Sequence, residues 1–107
     1  MSEDVPTTQE TGTRVPIPPD TILIGKKPVM AYVTAVMMHF QSGSNVLTVK
    51  ARGRAISRAI DVVEVVSRRF MTGKLNINDV SIGTEIVGQN EDVRNVSTIE
   101  IKIQKAE

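Results

Sequence analysis

The segment Thr98-Ile99-Glu100-Ile101-Lys102-Ile103 alternates isoleucine with polar residues at every step. Side chains on a strand point to opposite faces in turn, so the three isoleucines share one face, which must be buried. Something has to cover that face, and the chain supplies two helical patterns to do it. From Val29 to Phe40, apolar residues recur at Val29, Val33, Val36, Met37 and Phe40. A second pattern starts around Gly53 or Arg54 and runs to about Phe70. Its apolar face is read as Ile56, Ala59, Ile60, Val63 and Val66 or Phe70. Arg58–Asp61 and Glu64–Arg68, three and four residues apart, fit ion pairs on its solvated side.

The remaining elements follow from punctuation. Thr21-Ile22-Leu23-Ile24, ended by Gly25, reads as a short buried strand. Pro28 suits the first turn of the helix that follows. Gln41-Ser42-Gly43-Ser44-Asn45 stops that helix, and Val46-Leu47-Thr48-Val49-Lys50 is a β-branched strand. Thr72-Gly73 ends the second helix. A strand from Leu75 to Val87 and another from Val93 or Val96 to Ile103 flank the turn material Gly88-Gln89-Asn90-Glu91-Asp92. The order is β-α-β-α-β-β, an α+β domain with a β-hairpin at its end. Residues 1–19, rich in Pro, Thr and Glu and without periodicity, read as a disordered tail; residues 20–105 read as the one folded domain.

Composition narrows the function. The 107 residues include no Cys, so there is no disulfide framework and no thiolate metal site. No apolar run approaches the roughly 18 residues of a membrane span, and no signal-peptide pattern opens the chain. The expectation is a cytoplasmic protein with no membrane partner. A domain this small buries little of its own surface, so pairing with a second copy would add useful burial.

Charge is unevenly placed. The formal net charge is only +1, yet no acid lies between Asp20 and Asp61, a stretch holding Lys26, Lys27, Lys50, Arg52, Arg54 and Arg58. Residues 1–20 set four acids against one arginine; the rest set twelve basic residues against eight acids. A one-sign field on a balanced protein points to a polyanionic partner, most commonly nucleic acid.

Lys26 and Lys27 precede a helix N-terminus, where free N–H groups and the helix dipole favour anions. The plainer reading is two lysines on an exposed loop. Lys50, Arg52 and Arg54 lie where a strand passes into a helix; alternate residues point the same way and can present one basic edge. Against this stands a merely solubilising rim. Gly53 among them would let backbone approach a phosphate. Both clusters occupy strand-to-helix junctions, which parallel strands place on the same edge of a sheet. Arg94, in the hairpin, either reaches into a groove or is an ordinary loop arginine beside Glu91 and Asp92. Tyr32, one turn beyond Lys27, is the only aromatic placed for stacking or for bonding a phosphate. Phe40 and Phe70 fit core or interface roles, and so few aromatics argue against a single-strand stacking platform. His39 is the only histidine and reads as a helix-end surface residue. No metal site, cofactor or catalytic constellation emerges, so the chain is not read as an enzyme.

Three stretches carry a resemblance: Ile22-Leu23-Ile24-Gly25-Lys26-Lys27-Pro28-Val29-Met30, Lys50-Ala51-Arg52-Gly53-Arg54-Ala55-Ile56-Ser57 and Val96-Ser97-Thr98-Ile99-Glu100-Ile101. Together they resemble the Alba family of archaeal chromatin proteins over about residues 20–105. The resemblance implies a fold like the C-terminal domain of bacterial translation initiation factor three, with a protruding hairpin. It implies a homodimer that coats and compacts double-stranded DNA with little sequence preference, binds RNA too, and sits on the chromosome in the nucleoid. The implied contacts are Lys26, Lys27, Tyr32, Lys50, Arg52, Arg54 and, on the hairpin at about 88–95, Arg94. Lys26 matches the lysine that is reversibly acetylated, making an acetyltransferase and a deacetylase partners. Phe70 matches the residue through which neighbouring dimers associate on DNA. The other reading is a dedicated RNA-binding protein, acting in RNA stabilisation or as a ribonuclease P-type subunit.

Overall fold

The structure, a computed structural model, describes residues 20–106. The expected tail, residues 1–19, lies outside them. Strand β1 (Thr21–Leu23) leads to helix α1 (Val29–Gln41), strand β2 (Val46–Arg52) and helix α2 (Ala55–Val65). After α2 comes one π-helical turn (Val66–Phe70), then strand β3 (Leu75–Val87), a 3-10 turn (Asn90–Asp92) and strand β4 (Arg94–Lys105). The expected order and the α+β class are both present. The sheet runs β1-β2-β4-β3, with β1 and β2 parallel and the other pairs antiparallel.

The alternating pattern does what its period demands. Ile99, Ile101 and Ile103 are buried, together with Leu47, Val49 and Ala51 of β2, against Val33, Val36 and Phe40 of α1. Each of these buried side chains other than Ala51 stabilises the fold by about 1.5–3 kcal/mol. Among the described residues, no helix covers the opposite face, which holds Lys50, Arg52, Thr98 and Glu100.

Helix α2 matches its expected face at Ala59, Val63 and Val66 and departs from it at Ile60. Ala59, Val62, Val63 and Val66 are buried, whereas Ile60 is exposed. The chain offers apolar residues at 59, 60, 62 and 63, so periodicity alone allows two stripes about 100° apart. Nor does Arg58 pair with Asp61; its guanidinium goes elsewhere, as shown below. Glu64 and Arg68 do pair, at 2.7 Å.

His39 is also not a free surface residue. Its side chain is 16% exposed, and Nε2 donates to the Val46 carbonyl at 2.8 Å and lies 3.5 Å from Asp20 Oδ1. Ser44 Oγ also reaches Asp20, at 3.2 Å. These contacts close the end of α1 onto the start of β2.

The last pairs of the hairpin, from Glu85↔Val96 to Val87↔Arg94, extend past the end of β2 at Arg52. The hairpin therefore projects from the body, and the longest extent with the hairpin included is 48 Å. Its turn needs Gly88, at φ 99°, where any Cβ would collide with the Asp92 carbonyl.

Candidate nucleic-acid interface

Because β1 and β2 are parallel, both hand over to a helix at the same edge of the sheet. The junctions are residues 24–28 and Gly53-Arg54. Each of the two helices begins with no side-chain cap and no acid in its first turn. The first N–H groups of a helix have no intrahelical partner, so two uncapped positive helix ends lie along the edge that carries the basic residues.

The loop after β1 is held from both helices. Tyr32, on α1, accepts hydrogen bonds at its hydroxyl from the Gly25 N–H (2.8 Å) and the Lys27 N–H (3.1 Å). Arg58, on α2, donates from Nη1 to the Gly25 carbonyl at 2.6 Å. Gly25 is itself tightly fitted, since a Cβ there would sit 3.3 Å from the Tyr32 hydroxyl. The main chain is thus fixed while the side chains of Lys26 and Lys27 remain exposed. Tyr32 is half-buried, and its hydroxyl, engaged by both N–H groups, positions the lysine loop.

Lys50 and Arg52 share the open face of β2, as the alternation requires. Both carry a carboxylate: Lys50 Nζ lies 3.4 Å from Glu100 Oε2, and Arg52 Nη1 lies 2.7 Å from Glu85 Oε1. Arg54 does not continue their row. Gly53 adopts φ 58°, which breaks the extended backbone and makes Arg54 the helical N-cap of α2. The Gly53 N–H donates to the Ser97 carbonyl at 2.8 Å, so this glycine serves the turn, and its donor is already spent. Arg94 is exposed at the first position of β4, opposite Val87, at the far end of the hairpin. The structure therefore gathers Lys26, Lys27, Arg52 and Arg54 near one edge, sets Lys50 one step down the open face, and holds Arg94 on the projecting arm.

Phe70 owes its position to the π turn. In an unbroken α-helix, seven residues bring the chain back to within about 20°, so Phe70 would share the buried stripe of Val63. The Met71 N–H instead bonds the Val66 carbonyl at 2.8 Å, five residues back. One extra residue fits in the turn; Met71 takes the core position at 7% exposure, and Phe70 is turned out to 50%. Of the two roles left open by the sequence, the core one is removed.

Comparison with known proteins decides the lineage. The Alba family model matches residues 20–84. The chain is 45% identical over 86 residues to the DNA/RNA-binding protein Alba 1 of Archaeoglobus fulgidus, covering 80% of this chain and 96% of that protein. It is 49% identical over 89 residues to the DNA/RNA-binding protein Alba of Nanoarchaeum equitans, with 78% and 96% covered. The chain belongs to the Alba family. Among solved structures, Alba from Thermoplasma volcanium superimposes with a TM-score of 0.74 at 37% identity, covering 78% of this chain and 98% of that one. An Alba protein of Trypanosoma brucei gives 0.72 at 22% identity, with 86% and 74% covered, which speaks to the fold alone.

Within this Alba-family chain, three residues of the interface escape sequence reasoning. Arg58 has the spacing of half a helical ion pair. Glu85 and Glu100 have the pattern of ordinary strand residues on a solvated face. Only strand register reveals that Glu100 stands opposite Lys50. Nothing local signals the reach of Arg52 to Glu85. Among the described residues, no helix is long and apolar enough to cross a membrane.

Proposed function

We propose that residues 20–105 form a nucleic-acid-binding domain that coats double-stranded DNA with little sequence preference, and that it works as a homodimer. The observation that carries this is the fixed Lys26–Lys27 loop beside two uncapped helix N-termini. The free N–H groups of the helix ends and the two exposed ammonium groups of the loop suit phosphates, which position a protein without reading sequence. RNA is a second ligand of the same surface, consistent with the names of the archaeal relatives. The role is binding on the chromosome, not catalysis. Acetylation of Lys26 by an acetyltransferase, reversed by a deacetylase, would remove one charge from this loop. The projecting hairpin carries Arg94 toward a groove, and Phe70 joins neighbouring dimers.

The dimer is supported by β3. Ile77, Val80 and Ile82 stand in register with the core isoleucines Ile103, Ile101 and Ile99, on the helix side of the sheet. Neither helix packs broadly on β3, and Ile82 is 83% exposed. A bare apolar row on an edge strand calls for a partner surface, and a second copy offers a matching one.

The test is binding to a random-sequence duplex across a salt series, with molar mass measured in solution. If about 6 phosphates are neutralised per dimer, log K against log[salt] falls with a slope near −5. A tight, salt-insensitive preference for one sequence, or a monomeric mass, would contradict the proposal. RNA competition in the same assay tests the second ligand.

A further inference from the structure

Two cations of the proposed interface are neutralised inside the chain before any ligand arrives. Glu100 faces Lys50 directly in the β2–β4 register. Glu85 is farther from Arg52. Arg52 stands opposite Thr98, and Thr98 opposite Gly83, so β3 presents no side chain straight across from the arginine. The guanidinium reaches past β4 and meets Glu85, two positions along β3 from Gly83. Two strand spacings, about 10 Å, separate β2 from β3, a span that needs a side chain of arginine's length. The two pairs line a groove of about 750 Å³ on the open face, with Ser81, Gly83 and Thr98 in its floor.

A carboxylate on a guanidinium offers what a phosphate offers, an anionic oxygen at charge-assisted hydrogen-bond distance. We infer that Glu85 and Glu100 are affinity-setting residues, internal occupants of the positions on Arg52 and Lys50 that nucleic-acid phosphates take on binding. The inference rests on the nucleic-acid reading above. Both pairs are substantially exposed, with side-chain exposures of 62% and 50% for Arg52 and Glu85. Exposed pairs are held weakly, so a dense array of phosphates displaces the carboxylates while an isolated anion does not. The pairs therefore favour a polymer over a mononucleotide and keep binding reversible. They also keep β2 from presenting a naked basic face to other acidic partners.

The experiment is a double-mutant cycle on duplex binding with Glu85→Gln, Arg52→Gln and the combined variant, each checked for an unchanged melting temperature. Glu85→Gln keeps the shape and removes the charge. It should raise duplex affinity about threefold, the order set by a weak exposed pair. In the Arg52→Gln background the gain should vanish, because Glu85 acts through that arginine. A gain of equal size in that background would show a general field effect and overturn the inference. So would unchanged or weaker binding of Glu85→Gln, which would make Glu85 a residue that merely orients Arg52. A wild-type protein that binds no duplex would overturn the nucleic-acid reading itself, an outcome distinct from these.

Discussion

In the loop after β1, Tyr32 and Arg58 hold the main chain at Gly25 and Lys27, and the charges of Lys26 and Lys27 are left outside. On the open face of the sheet the main chain is held by the ladder, and the charges of Lys50 and Arg52 are tied to Glu100 and Glu85. Both clusters are basic and contain a glycine, and their preparation is opposite. The loop enters a complex with its backbone ordered and, among the described residues, no carboxylate on Lys26 or Lys27 to displace. The sheet face has to give up ion pairs first. Preorganisation cuts the ordering cost of binding, so the loop should contribute more per charge than the face does.

The largest expected effect follows. Lys26→Gln combined with Lys27→Gln should lower duplex affinity by about tenfold or more. The salt slope should flatten by about 0.9 for each phosphate that is no longer neutralised. Arg52→Gln with Lys50→Gln removes the same formal charge and should cost clearly less, because part of that charge was already compensated. The melting temperature should stay the same in the lysine variant, since both side chains are exposed. Equal losses in the two double variants would break the comparison.

A smaller effect isolates the backbone. Tyr32→Phe leaves every charge in place and removes the hydroxyl that accepts from Gly25 and Lys27. Two part-exposed hydrogen bonds suggest a stability cost of about 1–2 kcal/mol. Duplex affinity should fall several-fold, with faster amide exchange at Gly25 and Lys27. If exchange quickens and affinity holds, the loop does not need its order to bind. The contrast between the clusters would then rest on the carboxylates alone.

How much of this is legible in the chain depends on the range of the interaction. The two strand-to-helix junctions are legible, because short apolar runs ended by Gly25 and Gly53 mark them and parallel pairing puts them on one edge. The buried row Ile99, Ile101, Ile103 is legible from its period. The buried face of helix α2 is legible only in part: Ala59, Val63 and Val66 follow from the period, and the choice between Ile60 and Val62 does not. Ile60 and Val62 are both apolar, and only the sheet and α1 select Val62 for burial. The π turn leaves no mark in composition; a sequence read at constant pitch carries Phe70 into the core. The partners of Arg52 and Arg58 lie 33 residues away in each case. Such pairings are products of topology, and no local spacing announces them.

Phe70 extends the comparison to an apolar residue. Like Lys26 and Lys27, it is presented by a backbone device, here the Met71–Val66 hydrogen bond, with its side chain left half-exposed. Residue 71 fills the core position that residue 70 would otherwise occupy, so truncating the ring opens no buried cavity. Phe70→Ala should therefore cost under about 1 kcal/mol of stability, against the roughly 3–5 kcal/mol expected of a buried phenylalanine. Affinity for a duplex long enough for a single dimer should be unchanged, since the charges around the lysine loop are untouched. On a long duplex the Hill slope should fall toward one if Phe70 makes the proposed apolar contact between neighbouring dimers. A large drop in melting temperature would show that the ring is packed after all and that the π turn does not present it. Undiminished cooperativity on a stable variant would leave the turn as a structural feature without a binding partner, and the parallel with the lysine loop would fail.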